Sequence, residues 1–451
     1  MQKKVNQLKM GTILSYLSIV IQSLCAIIYT PVMLRLLGQN EYGLYQLGSS
    51  AVSYLSLLSF GFNSSYVKFY FEYKVKGEEE EIRRLNSIFL LVFCCLAIVS
   101  CIVGGGMIAS TDLIFNTSLS AADVHQVRIL MFILVLSTAL TFPNIIFECY
   151  IIAHEKYIFQ RLMLIAVTVL LPILTLPLLY MGYKSTALVA VHLFISVLRT
   201  GINVYYCIVK LGMKFQFHGM QLKVLKNVGS FSIFIFLNEI ATQINWNVDK
   251  VILGAVQGAS VVAIYSVGSQ FNQYFINMST AVSNVFIPRV NKMVAEKQGN
   301  DVLTALFIKI GRVQYVVLSA ILGGYLLYGK FFIMKWAGEG YDAAYYVGAL
   351  VMIPAIIPLI QNIGIEIQKA KNMHKFRSIV YFIIAFANLG LSVPLGKYYG
   401  AIGAAFGTTL ATVVGNIILM NWYYQTRIGL NIKAFFKSMI RPTIVLIIAY
   451  M

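Results

Sequence analysis

The sequence predicts an all-α fold: a polytopic transmembrane helical bundle with two six-helix lobes around a central cavity. Three observations carry that prediction. Of 451 residues, 59% are hydrophobic and only 12% charged, with a mean hydropathy of +0.77. Soluble domains keep about a quarter of their residues charged. Apolar runs of about 20 residues, long enough to cross a bilayer core as helices, recur along the whole chain. The first half is also echoed in the second. An outer-membrane barrel would need strands alternating every second residue, and the apolar runs do not alternate.

Taken in order, the spans fall near 11–36, 42–64, 87–109, 127–152, 157–181, 185–208, 229–254, 261–287, 305–329, 343–365, 377–396 and 401–424. A thirteenth begins near Ile440. The chain stops at Met451, after roughly 18 Å of helix, against a core of about 30 Å. The expected division is therefore 1–228 for spans one to six, 229–439 for spans seven to twelve, and 440–451 for an incomplete thirteenth span. The N-terminal apolar run is long and ends in PVMLRLLG without a small-residue cleavage site, so it is expected to remain as the first span.

The formal net charge of +18 follows topology rather than nucleic acid. Of the 35 Lys and Arg residues, 27 lie at the N-terminus or in even-numbered loops, five in odd-numbered loops, and three (Arg35, Arg199, Lys250) within spans. That bias places the N-terminus and even loops of a multi-pass protein in the cytoplasm. It also implies contact with anionic membrane lipids. No nucleic-acid recognition motif is present. The six cysteines (Cys25, Cys94, Cys95, Cys101, Cys149, Cys207) all fall in apolar spans, at spacings that suit packing and no metal site. The loops are too short to fold as a soluble catalytic module.

The repeat is visible at an offset of 220. LGQNEYGLYQLGSS (37–50) matches QGASVVAIYSVGSQ (257–270) at Gly38 and Gly258, Tyr45 and Tyr265, Gly48 and Gly268, and Ser49 and Ser269; Tyr54 then matches Tyr274. INVYYCIVKLG (202–212) resembles LMNWYYQTRIG (419–429) at the end of the sixth span of each half. Six spans per copy give both copies the same orientation, about an axis along the membrane normal.

The seventh span holds the polar residues. At 100° per residue, Asn238, Thr242, Asn245 and Asp249 form one stripe, and Glu239, Gln243, Trp246 and Lys250 the next. A charge facing lipid at the bilayer centre costs about 2.5–3.5 kcal/mol on insertion scales. Glu239 lies roughly 15 Å from the inner end, near the midplane. The stripes are therefore expected to face water or other helices. The first span adds Arg35, the second Gln46, Ser53 and Tyr54, the sixth Arg199, and the eighth Gln270, Gln273 and Asn277. Without Trp246, these are the fifteen residues of the expected substrate-binding set, with Glu239 as the coupling-ion candidate. For the single Ser and Asn residues, interhelical hydrogen bonding is the competing role. Hydroxyls, amides and tyrosines suit a large polar substrate such as a glycan.

LRLLGQNEYGLYQLGSS and the block from DKVILG to AIYSVGSQFNQ resemble the polysaccharide-biosynthesis branch of the multidrug/oligosaccharidyl-lipid/polysaccharide exporter superfamily, over roughly residues 10–440. More narrowly, the chain resembles O-antigen or capsule repeat-unit flippases. The resemblance implies a central cavity open to one side at a time. It implies movement of an undecaprenyl-pyrophosphate-linked oligosaccharide from the cytoplasmic to the outer leaflet, beside a polysaccharide polymerase or glycosyltransferases. Relatives usually have fourteen spans. The second and eighth spans here carry no cation, which leaves Arg35, Arg199 and Lys250 to neutralise a diphosphate. H⁺ and Na⁺ are both open as the coupling ion. No nucleotide-binding loop is present, and no cofactor is expected. A multidrug exporter, a membrane-embedded glycosyltransferase and a non-transporting scaffold are the competing readings. The drug exporter would favour an acidic, aromatic-rich pocket, and the enzyme a substantial outward loop.

Overall fold

Gly38 sets the shape of the first helix. α1 runs Gln7–Ser53, yet Gly38 inside it has φ 74° and ψ 167°. Only glycine takes that conformation without a Cβ penalty. The helix therefore breaks there, between the two expected spans 11–36 and 42–64, with no loop. A 3₁₀ turn, Tyr54–Ser59, follows. The computed structural model describes residues 7–59, 62–219 and 223–450.

The remaining helices are α2 (Phe62–Lys76), α3 (Glu79–Ala109), α4 (Thr111–Phe115), α5 (Ala121–Ala153), α6 (Tyr157–Tyr180), α7 (Lys184–Tyr205), α8 (Lys223–Val256), α9 (Ala259–Asn284), α10 (Ile287–Ala295), α11 (Asn300–Ala337), α12 (Asp342–Ile360), α13 (Asn362–Ala370), α14 (Lys375–Thr412), α15 (Met420–Tyr423) and α16 (Ile432–Tyr450). Among the described residues every regular element is helical. Eight helices there are long and apolar enough to cross a membrane. Two of these hold a glycine break between two expected spans: α1 at Gly38, and α14 at Gly400 (φ 59°, ψ −140°). α8 and α9, which carry the polar stripes, fall outside the eight.

The chain divides into two compact units, Met1–Ile240 and Ala241–Met451. The division falls inside α8, later than the 228/229 boundary expected from hydropathy. In the first unit α5 packs on α1, α3 and α7. Its core gathers Tyr66, Phe89, Phe93, Phe142, Phe147 and Tyr150. Tyr66 donates to Asn86 Oδ1 at 2.7 Å, and Asn86 Nδ2 donates to the Lys214 carbonyl at 3.0 Å. That chain pins the segment after α7 to α3. In the second unit α12 packs on α9, α11 and α14, and α11 also meets α16. Phe307 lies 4.4 Å from Phe435 and 6.2 Å from Tyr424, ring centre to ring centre. Large apolar side chains such as Ile102 (70% exposed) and Ile383 (61%) cover the outside, as hydrocarbon surroundings require.

Local backbone geometry repeats between the units. Left-handed residues pair as Gly38 with Gly258, Gly77 with Lys297, Glu155 with Asn372, Gly182 with Gly400, and Gly212 with Gly429, at offsets of 217 to 220. π-helical turns pair as Tyr206–Lys210 with Tyr424–Ile428. So do amide pairs between helices: Asn203 Nδ2 donates to Asn144 Oδ1 at 2.9 Å, and Gln361 Nε2 to Asn421 Oδ1 at 2.8 Å. Glu155 and Asn372 occupy the position after the helix cap, where a left-handed residue ends a helix. The repeat inferred from a few Gly, Ser and Tyr matches thus extends to turns that share no sequence.

Candidate functional site

Asp249 is the one acidic residue among the buried polar side chains described, at 1% exposure. It sits seven residues before the end of α8, with Lys250 half-buried beside it. Oδ2 accepts hydrogen bonds from Tyr265 Oη on α9 at 2.6 Å and from Thr408 Oγ1 on α14 at 2.7 Å. Ser392 on α14 faces the same carboxyl. Asn388 joins the cluster: its Nδ2 donates to Thr408 Oγ1 at 3.4 Å, and its Oδ1 accepts from Ser392 Oγ at 3.3 Å. Asp249 Oδ1 has no hydrogen-bond partner.

Burying a carboxylate with one oxygen undonated is costly. Gly407 keeps the cluster tight: a Cβ there would stand 3.2 Å from Ser392 Oγ and 3.4 Å from Asn388 Oδ1. One carboxyl ringed by hydroxyls and an amide suits a proton or a monovalent cation. A divalent ion asks for more carboxylates, and no group of three or more His, Cys, Asp or Glu ligands occurs among the described residues.

The repeat gives this site a neutral counterpart. At offset 220, Tyr29 stands for Asp249; at offset 217, Thr175 stands for Ser392. Thr175 Oγ1 donates to Tyr29 Oη at 2.9 Å. The same framework position therefore holds an uncharged pair in the first unit and an ionisable group in the second.

The other predicted residues lie as follows. Glu239 is exposed, Thr242 and Asn245 are half-buried, and Gln243 Oε1 accepts from Asn247 Nδ2 at 2.7 Å. The Asn238 side chain lies outside the described residues. On α9, Gln270 Nε2 donates to Tyr274 Oη at 2.6 Å, and Gln273 Nε2 to Asn277 Oδ1 at 2.9 Å. In the first unit Arg35 is exposed, three residues before the Gly38 break. Gln46 Nε2 donates to Tyr42 Oη at 2.7 Å, and Ser53 Oγ to the Ser50 carbonyl at 2.7 Å. Tyr54 is half-buried in the 3₁₀ turn.

Arg199 Nη2 lies 2.6 Å from Glu148 Oε1, the same oxygen that accepts from Asn144 Nδ2 at 2.5 Å. Its charge is thus matched inside the first unit. Sequence reasoning took Arg199 as a phosphate ligand because it read spans singly and left Glu148 near an inner end. It also missed Thr408, Ser392 and Asn388. The signal for Asn388 and Ser392 was present, since they stand four apart on one face of an otherwise apolar span.

Solved structures set this fold among membrane transporters. The lipid II flippase MurJ in an inward closed conformation superposes with a TM-score of 0.72 over 98% of this chain and 92% of that one, at 17% identity. An inward-facing multidrug resistance MATE transporter of the MOP superfamily also reaches 0.72, over 93% of this chain and 99% of that one, at 14% identity. Residues 8–294 match the family model described as polysaccharide biosynthesis protein, and the chain belongs to that family. The putative O-antigen transporter of Shigella flexneri is 21% identical over 422 residues, 90% of this chain and 94% of that one. The teichuronic acid biosynthesis protein TuaB of Bacillus subtilis is 22% identical over 227 residues, 50% of this chain and 46% of that one. The chain is a multi-pass membrane protein of that polysaccharide biosynthesis family.

Proposed function

We propose that the chain moves an undecaprenyl-pyrophosphate-linked oligosaccharide repeat unit from the cytoplasmic to the outer leaflet, for assembly of a surface polysaccharide. The observation that carries this reading is the family match over residues 8–294, which takes in both α8 and α9 with their amide and hydroxyl side chains. Asn, Gln, Ser and Thr groups replace part of a glycan's hydration, while the polyprenyl tail stays in lipid. Arg35 and Lys250 supply charge for the diphosphate as charge-assisted donors. The 27-to-5 bias of Lys and Arg supports a cytoplasmic N-terminus in the bacterial cytoplasmic membrane. A polymerase or glycosyltransferases would act beside the chain, supplying and consuming the lipid-linked glycan.

For coupling, Asp249 is the better-built site and Glu239 the rival. A buried carboxyl shared by α8, α9 and α14 ties ion binding to how those helices pack. An exposed glutamate gains or loses an ion at little structural cost. Deleting the gene is expected to abolish the surface polysaccharide and to leave lipid-linked repeat units on the inner leaflet. Normal surface polysaccharide in the deletion strain would refute the reading. A multidrug exporter is the second reading, favoured by the TM-score of 0.72 to a MATE transporter. Drug resistance on overexpression, with unchanged glycan, would select it.

A further inference from the structure

No Asp or Glu occurs after Glu366. The last 85 residues hold nine Lys and Arg and no acid at all. Three of those cations, Lys433, Lys437 and Arg441, stand at i, i+4 and i+8 on α16, and all three are exposed. Residues four apart share a helix face, so the cations form one stripe. No ion pair among the described residues involves any of them.

A groove of about 400 Å³ runs beside that stripe, between α16, α11 and α12. Its walls include Ile356, Phe436, Ile440 and Ile444. Phe436, Ile440 and Ile444 are 37%, 55% and 52% exposed. Phe436 and Ile440 each precede a cation by one residue, in Phe436–Lys437 and Ile440–Arg441, about 100° round the helix; Ile444 lies three residues after Arg441. The polar contribution to the walls is Tyr315 and Thr443, whose hydroxyls bond each other at 2.7 Å. A groove whose hydroxyls already satisfy one another receives a hydrocarbon chain and gives a sugar little to bind. A cationic stripe along its rim adds charge complementarity for phosphate.

We propose that the exposed side of α16 binds an anionic glycerophospholipid, with its phosphate on Lys433, Lys437 and Arg441 and one acyl chain in the groove. Basic side chains next to an anionic lipid surface add affinity step by step, and long Lys and Arg stems reach from a helix flank to headgroup level. Binding here does not depend on what the chain carries. Only the leaflet, cytoplasmic, follows from the orientation proposed above.

The test is native mass spectrometry of the purified full chain with added phosphatidylglycerol or phosphatidylcholine. Phosphatidylglycerol adducts are expected to persist and phosphatidylcholine adducts to be lost. K433Q/K437Q/R441Q should weaken phosphatidylglycerol binding on the order of 100-fold, while K433R/K437R/R441K keeps it. Should the triple variant not be recovered folded, K437Q and R441Q singly, each expected to weaken binding about fivefold, carry the test. Equal retention of the two lipids, or undiminished binding by the folded triple variant, overturns the proposal. Displacement of phosphatidylglycerol by equimolar undecaprenyl phosphate overturns it in favour of the carrier lipid.

Discussion

The Arg199 guanidinium lies 2.6 Å from the Glu148 carboxylate, joining α7 to α5 within the first unit. Asn144 donates to that same carboxylate and accepts from Asn203, so four polar side chains form one chain across the helix contact. Both charges are partly exposed, at 43% and 29%; where water reaches them such a pair is worth about 1 kcal/mol. A double-mutant cycle of Arg199→Gln and Glu148→Gln, read by thermal unfolding, should return a coupling of that size. If Arg199 instead binds substrate phosphate, R199Q alone will abolish transport while E148Q leaves it intact.

Asp249→Asn is nearly isosteric and removes the ionisable group. Transport should fall at least tenfold with membrane insertion unchanged, and Thr408→Ala should fall between the two. Adding NaCl at constant ionic strength should raise the unfolding temperature of the native chain and not of D249N if a sodium ion binds. An unfolding temperature that ignores sodium, together with transport that follows a pH gradient, assigns the proton. Glu239→Gln is expected to keep coupled transport; its loss of coupling would move the ion to Glu239.

Gly311 allows α11 to approach α12 and α16. A Cβ there would stand 2.5 Å from the Phe435 ring and 2.9 Å from the Ile360 carbonyl oxygen. The carbonyl belongs to backbone and cannot swing away. Gly311→Ala should therefore cost about 1–3 kcal/mol through overpacking, despite the better helix propensity of alanine. A lowered unfolding temperature, with lipid-linked glycan transport rescued on cooling, is the expected result. An unchanged temperature would show that α12 gives way.

His154 caps α5, just beyond the membrane-spanning segment. Its Nδ1 lies 2.9 Å from the Tyr150 carbonyl, and its Nε2 lies 3.2 Å from Tyr70 Oη on α2. The neutral imidazole satisfies both, with Nδ1–H donating and Nε2 accepting. Burial lowers its pKa below the ordinary 6.5, and Lys74 and Lys156 push the same way. A histidine with a depressed folded-state pKa contributes stability above pH 6.5 and loses it as the pH falls through the folded value. Stability should therefore drop on acidification from pH 7 to 5, and His154→Gln should flatten that part of the profile.

Much of the fold was legible because hydrocarbon imposes a simple rule: about 20 apolar residues per crossing. The rule reached even the two breaks, since Gly38 and Gly400 each lie between polar or small residues that end one run and begin another. It failed where a partner comes from a distant span. Arg199 read alone is an unpaired cation in lipid; read beside Glu148, 51 residues earlier, it is compensated. Asp249 belonged to a polar stripe by periodicity, yet burial set it apart from Glu239, ten residues earlier on the same helix. Periodicity assigns a face, and only packing tells which part of that face is sealed. The hydroxyls around Asp249 come from α9 and α14, 16 and 159 residues away, and no local pattern joins them.

The substitution of tyrosine for aspartate between the halves, Tyr29 against Asp249, bears on stoichiometry. Two copies of one framework offer two equivalent places for an ion, and only one is chemically able to hold it. If Asp249 is the coupling site, each cycle draws on a single charge. At 100 mV that supplies about 2.3 kcal/mol, a bias between leaflets of roughly fifty to one. A reversal-potential measurement in proteoliposomes should return one ion per glycan; two would require a second binder, and Tyr29 has no charge to offer.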